Sequence, residues 1–247
     1  MKILWGIICV AFLIVSCTGH ELDPNNPELS FTYAKEPYDD EHWEVAVQKL
    51  GEFKSRFPYS RFAIEAELLL ANCQFELGHF SESAIAYEQF AKLHPKHDKV
   101  DYAMFRVGES YWKDSPDDID REQEFTGKAL AEWRKLEKAK PESPYAAKGK
   151  SLMAIGERRL AESQGFIARF YCKREIYHAC VFRAERLITE FPQYKDLVAE
   201  ARQLAAESYR ELAREKKKDP TSDKNIYVRD FTEQELNEKA AKVAKGD

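Results

Sequence analysis

Four stretches of the chain repeat one spacing of small and apolar residues: Ala46, Val47, Leu50, Phe53; Ser83, Ala84, Tyr87, Phe90; Ala129, Leu130, Trp133, Leu136; and Cys180, Val181, Ala184, Leu187. Steps of one, three and three put each set on one face of an α-helix, headed by a small residue where a second helix can come close. Each set runs into a helix-stopping proline, at Pro58, Pro95, Pro141 and Pro192. Between these sets, helical periodicity predicts a second series over Pro27 to Tyr38, Phe62 to Leu77, Val100 to Lys113, Pro144 to Cys172 and Tyr194 to Lys216. Ala34, Ala71, Gly108 and Ala168 hold the small position in that series.

Alternation of the strand type is absent, so the pattern predicts an all-α chain. Helix pairs repeating at this scale have the tetratricopeptide form, in which each unit buries its apolar face only by stacking on the next. The expected fold is a right-handed superhelix of about five such pairs. A longer spacing before the third proline is explained by the acidic, proline-containing loop Asp114 to Asp118. The fourth first-helix is overlong and is expected to project beyond its partner. Past Asp219-Pro220 the periodicity lapses until Thr232-Glu233-Gln234-Glu235, a capping box with Phe231 and Leu236 at staple spacing. This predicts a short tail helix, only weakly docked.

The N-terminus has a different pattern. Lys2 is followed by an apolar run from Ile3 to Leu13 and then Ile14-Val15-Ser16-Cys17, after which the chain turns polar at Thr18-Gly19-His20. The run is too short for a permanent span, and Ser16 is the small residue that cleavage requires. The segment resembles a bacterial lipoprotein signal whose Cys17 becomes the acylated N-terminus; the other readings are a plain cleaved signal or an anchor helix. Thr18 at the position after the cysteine implies transfer to the outer membrane. Stable attachment through lipid alone takes more than one acyl chain on Cys17. The chain therefore divides into a signal peptide at 1–16, an acylated N-terminus and linker at 17–27, a repeat array at 28–215, and a polar tail with a short helix at 216–247.

The formal net charge of −5, with its signs interleaved, gives no nucleic-acid footprint. The basic run Lys216 to Lys218 ends a helix, where cations are favoured. Beyond Cys9 and Cys17, three cysteines remain. Either Cys172 and Cys180 form a bridge within one helix hairpin and Cys73 is buried, or all three are buried thiols.

Phosphate loops, nucleophile elbows and zinc-protease motifs are absent, and His94 and His97 lack a third ligand at suitable spacing, so neither enzyme activity, cofactor nor metal is expected. A binding surface is better supported. The first helices would line a concave groove with stripes of Phe31, Lys35 and Tyr38; of Leu68, Asn72 and Phe75; and of Tyr102, Phe105, Glu109 and Trp112. Rigid aromatics with a few polar groups suit an extended peptide with aromatic side chains. The same residues would also serve to pack neighbouring repeats.

Several segments are more specific than a generic repeat: Phe57-Pro58-Tyr59-Ser60, Tyr87 to Phe90 with His94 to His97 and Val100 to Ala103, Asp120 to Gln123, Ser143-Pro144-Tyr145, and Ala168 to Tyr171 leading to Tyr177, Cys180 and Arg183. In these the chain resembles the BamD family, tetratricopeptide lipoproteins of the outer-membrane β-barrel assembly machinery. The resemblance implies a periplasm-facing scaffold whose C-terminal repeats hold the POTRA domains of a BamA-type barrel, whose N-terminal groove receives the aromatic-ended signal of unfolded outer-membrane proteins, and which joins other assembly lipoproteins. Arg183 matches an arginine on the BamA-facing side, implying a contact with a partner carboxylate; within the chain its alternatives are Glu185 and Glu190. Glu175 stands where the family turns on glycine, Cys180 where it has alanine, and Phe182 where it has a polar residue. Two other readings compete: a lipoprotein for pilus or secretin assembly, and a recruiter of peptidoglycan enzymes.

Overall fold

The computed structural model describes residues 25–246, which contain eleven α-helices and no strand. First helices α1 (Pro27–Asp39), α3 (Arg61–Glu76), α5 (Val100–Asp114), α7 (Pro144–Lys173) and α9 (Lys195–Lys218) alternate with α2 (Trp43–Arg56), α4 (Phe80–Leu93), α6 (Glu124–Ala139) and α8 (Tyr177–Glu190). The tail forms α10 (Ile226–Asp230) and α11 (Glu233–Lys245). Local chemistry sets these boundaries. Asn26 caps α1 by accepting from the Glu28 and Leu29 N–H groups, and Ser143 caps α7, each followed by proline at the first helical position.

From α1 to α9 each helix packs on the next in sequence, α10 and α11 both pack on α9, and the first helices also touch along the series, α1 on α3, α5 on α7 and α7 on α9. The core is accordingly a row of clusters, one per pair. The sets that lead to the four prolines form its interior; Val47 alone among them is half-buried. Ala34, Ala71, Gly108 and Ala168 are buried where the partner helices meet. At Gly108 the cause is direct, since a Cβ there would collide with the Trp133 indole. Trp133 donates its N–H to the Phe105 carbonyl at 3.1 Å, and its Cβ lies 3.2 Å from where a side chain on Gly149 would begin. One buried indole thus joins α5, α6 and α7.

The overlong α7 extends beyond its partner α8, as expected, and the extension is covered: its first half packs on α5 and α6, with Tyr145 against Tyr102 and Phe105, and its second half on α8. One expectation is corrected. The tail is not weakly docked. Val228, Leu236 and Ala240 are fully buried against Val181, Tyr209, Leu212 and Ala213, so α11 takes the place of a second helix for α9. The capping box is present as expected, and the stripe Leu236, Ala240, Val243 extends the apolar face beyond it. The array therefore runs to Lys245, and α9 itself continues past 215 to Lys218.

Candidate functional site

The groove is assembled from the first helices. A cavity of about 480 Å³ opens between α1, α3, α5 and the start of α7, lined by Lys35, Tyr38, Glu65, Leu68, Leu69, Asn72, Asp98, Lys99, Asp101, Tyr102 and Tyr145. Asn72 is the hub of its polar network. Its Nδ2 donates to the Tyr38 hydroxyl at 3.0 Å, and its Oδ1 accepts from the hydroxyls of Tyr87 at 2.6 Å and Tyr102 at 3.0 Å. Arg106 donates from Nε to the Tyr87 oxygen at 3.1 Å, lies 3.6 Å over the Phe75 ring, and pairs with Glu109 at 3.1 Å and Glu76 at 3.4 Å. Lys148 of α7 reaches Glu109 at 3.4 Å. Burial pushes the Tyr38, Tyr87 and Tyr102 hydroxyls above their ordinary value, so at neutral pH all three keep their protons as donors. Burial works against the Arg106 charge, but the Tyr87 oxygen that accepts its Nε–H and the Glu109 carboxylate favour the charged guanidinium.

The expected stripe divides under this geometry. Tyr38, Asn72 and Tyr102 line the cavity, and Leu68 forms part of its floor while almost fully buried. Phe31 is buried against Phe53 and Phe62, and Phe105, only 1% exposed, stacks on Trp133; these two are core, not groove. Phe75 is buried under Arg106, and Glu109 is occupied by Arg106 and Lys148. Trp112 packs on Trp133 beneath the Arg159 guanidinium at 4.2 Å, away from the cavity. The reason is common to all: the expected stripe is wider than the strip of helix left open once neighbouring helices pack from both sides. Tyr87, Arg106, Tyr145 and Lys148 were missed. Arg106 lies one turn beyond Tyr102 on the same face, and a buried tyrosine needs a partner for its hydroxyl, so two of the four left a signal in the sequence.

At the other end, Arg183 is half-buried and donates to Gln164 Oε1 of α7 at 3.2 Å. Neither alternative carboxylate takes it. Glu185 accepts from the Tyr209 hydroxyl at 2.6 Å, and Glu190 pairs with Arg186 at 2.8 Å. Nearby, Phe182 is 57% exposed and borders an apolar hollow with His178, Ala179, Ile226, Tyr227 and Phe231. Cys172 and Cys180 are joined across the α7–α8 turn, with Cα atoms 5.2 Å apart, while Cys73 is free and buried, and burial pushes its thiol up to about 11. Glu175 within that turn has φ of 60°, the left-handed conformation that Gly78 adopts in the α3–α4 turn. Cys17 lies outside the described residues. No helix among the described residues is long and apolar enough to cross a membrane.

Among the described residues, a row of helix pairs with an open face along its first helices and no second layer defines a scaffold of the tetratricopeptide type. The family described as YfiO, outer membrane lipoprotein, matches residues 24–224, and the chain belongs to it; the family places the chain at the outer membrane. The chain is similar to proteins named outer membrane protein assembly factor BamD. The one from Vibrio cholerae is 24% identical over 85% of this chain and 90% of its own length, and that of Pasteurella multocida 26% over 86% and 85%. The Neisseria meningitidis serogroup A protein is 27% identical over 66% and 65%. A solved tetratricopeptide-repeat protein from Thermus thermophilus aligns with a TM-score of 0.41 and 14% identity over 72% of this chain and 98% of that one, a likeness that adds nothing to the helix pairing described above.

Proposed function

We propose that this protein is a lipid-anchored scaffold of the outer-membrane β-barrel assembly machinery, facing the periplasm and held by acyl chains on Cys17. Its N-terminal groove receives extended segments of unfolded outer-membrane proteins. Its C-terminal surface around Arg183 holds a BamA-type barrel through POTRA domains, with other assembly lipoproteins as neighbours. The observation that carries this reading is the cavity spanning α1, α3, α5 and α7, in a chain whose relatives are named assembly factors. Support for the C-terminal contact comes from Arg183, whose hydrogen bond goes to a neutral amide, so its charge is available to an outside carboxylate. Nothing in the arrangement calls for catalysis; holding two partners at opposite ends of a rigid array is a sufficient role.

Photo-crosslinking in envelopes tests both ends. A crosslinker replacing the exposed Lys99 at the cavity rim should trap unfolded barrel proteins, and one replacing Phe182 should trap the barrel partner. Arg183→Glu should lower co-purification of that partner without lowering helicity. Crosslinks to a secretin or to peptidoglycan enzymes in place of these would overturn the reading.

A further inference from the structure

Three hairpins, α1–α2, α3–α4 and α7–α8, turn on a left-handed residue at the same place: Glu41, Gly78 and Glu175. Three residues before it stand Tyr38, Phe75 and Cys172; two after it, Trp43, Phe80 and Tyr177; and five after it, the fully buried Ala46, Ser83 and Cys180. In the first two hairpins the ends are clasped ring on ring. Tyr38 lies against Trp43 with centroids 5.4 Å apart, and Phe75 against Phe80 at 5.2 Å. In the third hairpin the leading ring is replaced by Cys172. Tyr177, the ring that remains, packs on the tail cluster of Val181, Tyr209 and Leu236, and the clasp is the Cys172–Cys180 bridge. Cys172 Sγ also meets the Ser208 hydroxyl of α9 at 3.4 Å, so the bridge ties the turn to the next pair.

Of the three clasps this one is covalent and opens on reduction. The turn it holds stands among the exposed side chains of Phe170, Ile176 and Phe182, and Arg183 follows one turn after Cys180. We propose that the bridge is a redox-operated clasp that positions this partner-facing surface. Closed, it keeps Phe170, Phe182 and Arg183 in one arrangement; open, it releases the α7–α8 turn and loosens the hold on the partner. This rests on the reading that the C-terminal end holds a barrel partner. Opening is thiol–disulfide exchange with an outside dithiol protein. Cys180 is fully buried and Cys172 half-buried, so the outside thiolate attacks Cys172 Sγ, the S–S bond breaks, and Cys180 leaves as a thiolate that takes up a proton. The second thiol of the reductant then displaces Cys172 from the mixed disulfide. Two electrons and two protons have passed to this protein, and the reductant departs as its own disulfide. Closing reverses each step with an oxidised dithiol protein.

The test has a local and a functional arm. In the protein with its leader removed and Cys17→Ser, reduction should speed hydrogen exchange about tenfold at residues 172–180 and leave the turns at Glu41 and Gly78 unchanged. In envelopes, Cys172→Ser with Cys180→Ala should lower the barrel crosslink from the crosslinker replacing Phe182 about fivefold, at equal abundance and helicity. Cys172→Phe with Cys180→Ala rebuilds beside Tyr177 the ring clasp of α3–α4 and should restore that crosslink. Leu50→Ala, a loss of stability placed in the first pair, should leave it unchanged, which separates positioning from stability. The inference is overturned by an undiminished crosslink without the bridge, by no local rise in exchange on reduction, by a ring clasp that restores nothing, or by an equal loss in Leu50→Ala. Each of these leaves the proposed function standing. Absence of any barrel crosslink with the bridge intact overturns both.

Discussion

The two halves of the array, divided within α7, expose different rings. From α1 to α6 no phenylalanine or tryptophan is exposed: Phe31, Phe90, Phe105 and Trp133 fill the core, Tyr38, Tyr87 and Tyr102 are joined through Asn72, and the exposed rings are those of Tyr33 and Tyr59. From the second half of α7 onward, Phe170 is 48%, Phe182 57% and Ile226 56% exposed, beside an arginine with no carboxylate. One repeat architecture thus presents a polar surface of set geometry at one end and loose apolar area at the other. The first suits recognition by direction of hydrogen bonds, where a misplaced donor is costly. The second suits association driven by removing apolar surface from water.

The largest expected effects come from breaking each half at its own core. Trp133→Ala should cost about 3–5 kcal/mol and Leu236→Ala about 2–4 kcal/mol in urea unfolding. Because contacts run only between neighbours, hydrogen exchange should rise around α5 to α7 in the first variant and in α9 to α11 in the second, leaving α1 and α2 protected in the latter. Uniform loss of protection in both would show that the halves unfold as one unit. Next in size is the cross-link between Cys172 and Cys180. Replacing Cys172 by Ser and Cys180 by Ala should cost about 2 kcal/mol for so short a loop. In the unfolded protein with its leader removed and Cys17→Ser, titration should find Cys73 as the one thiol before reductant; three would mean that the bridge does not form. The smallest effect concerns Glu175. Glycine there relieves the left-handed backbone but adds freedom to the unfolded chain, so Glu175→Gly should gain about 0.5–1 kcal/mol. No gain would mean that its neighbours already compensate.

Much of this array is legible in the residues. The spacing of Ala129, Leu130, Trp133 and Leu136 needs only helical periodicity to be assigned to an interior face, and Pro141 to be given an end. The capping box at Thr232 and Glu235 marks a helix start without knowledge of what lies beside it. The tail's docking is less visible, because Leu236, Ala240 and Val243 are too few and too small to declare how much of them another helix covers. The same limit applies to the groove. Phe31, Phe105 and Tyr102 occupy equivalent spacings, yet two are core and one lines the cavity, since the angle at which neighbours pack decides how wide a strip stays open.

The kind of element, the order of the pairs and the small residues at their crossings are thus written in the residues alone, because all of them follow from interactions within a few turns of one helix. Long-range packing settles the rest: that Asn72 gathers tyrosines from α1, α4 and α5, that α7 serves both halves, and that Arg183 meets Gln164 in place of a carboxylate. Those are contacts between residues far apart in the chain. Their partners are selected by how whole helices pack, and periodicity along one helix carries no record of which residue faces it from another.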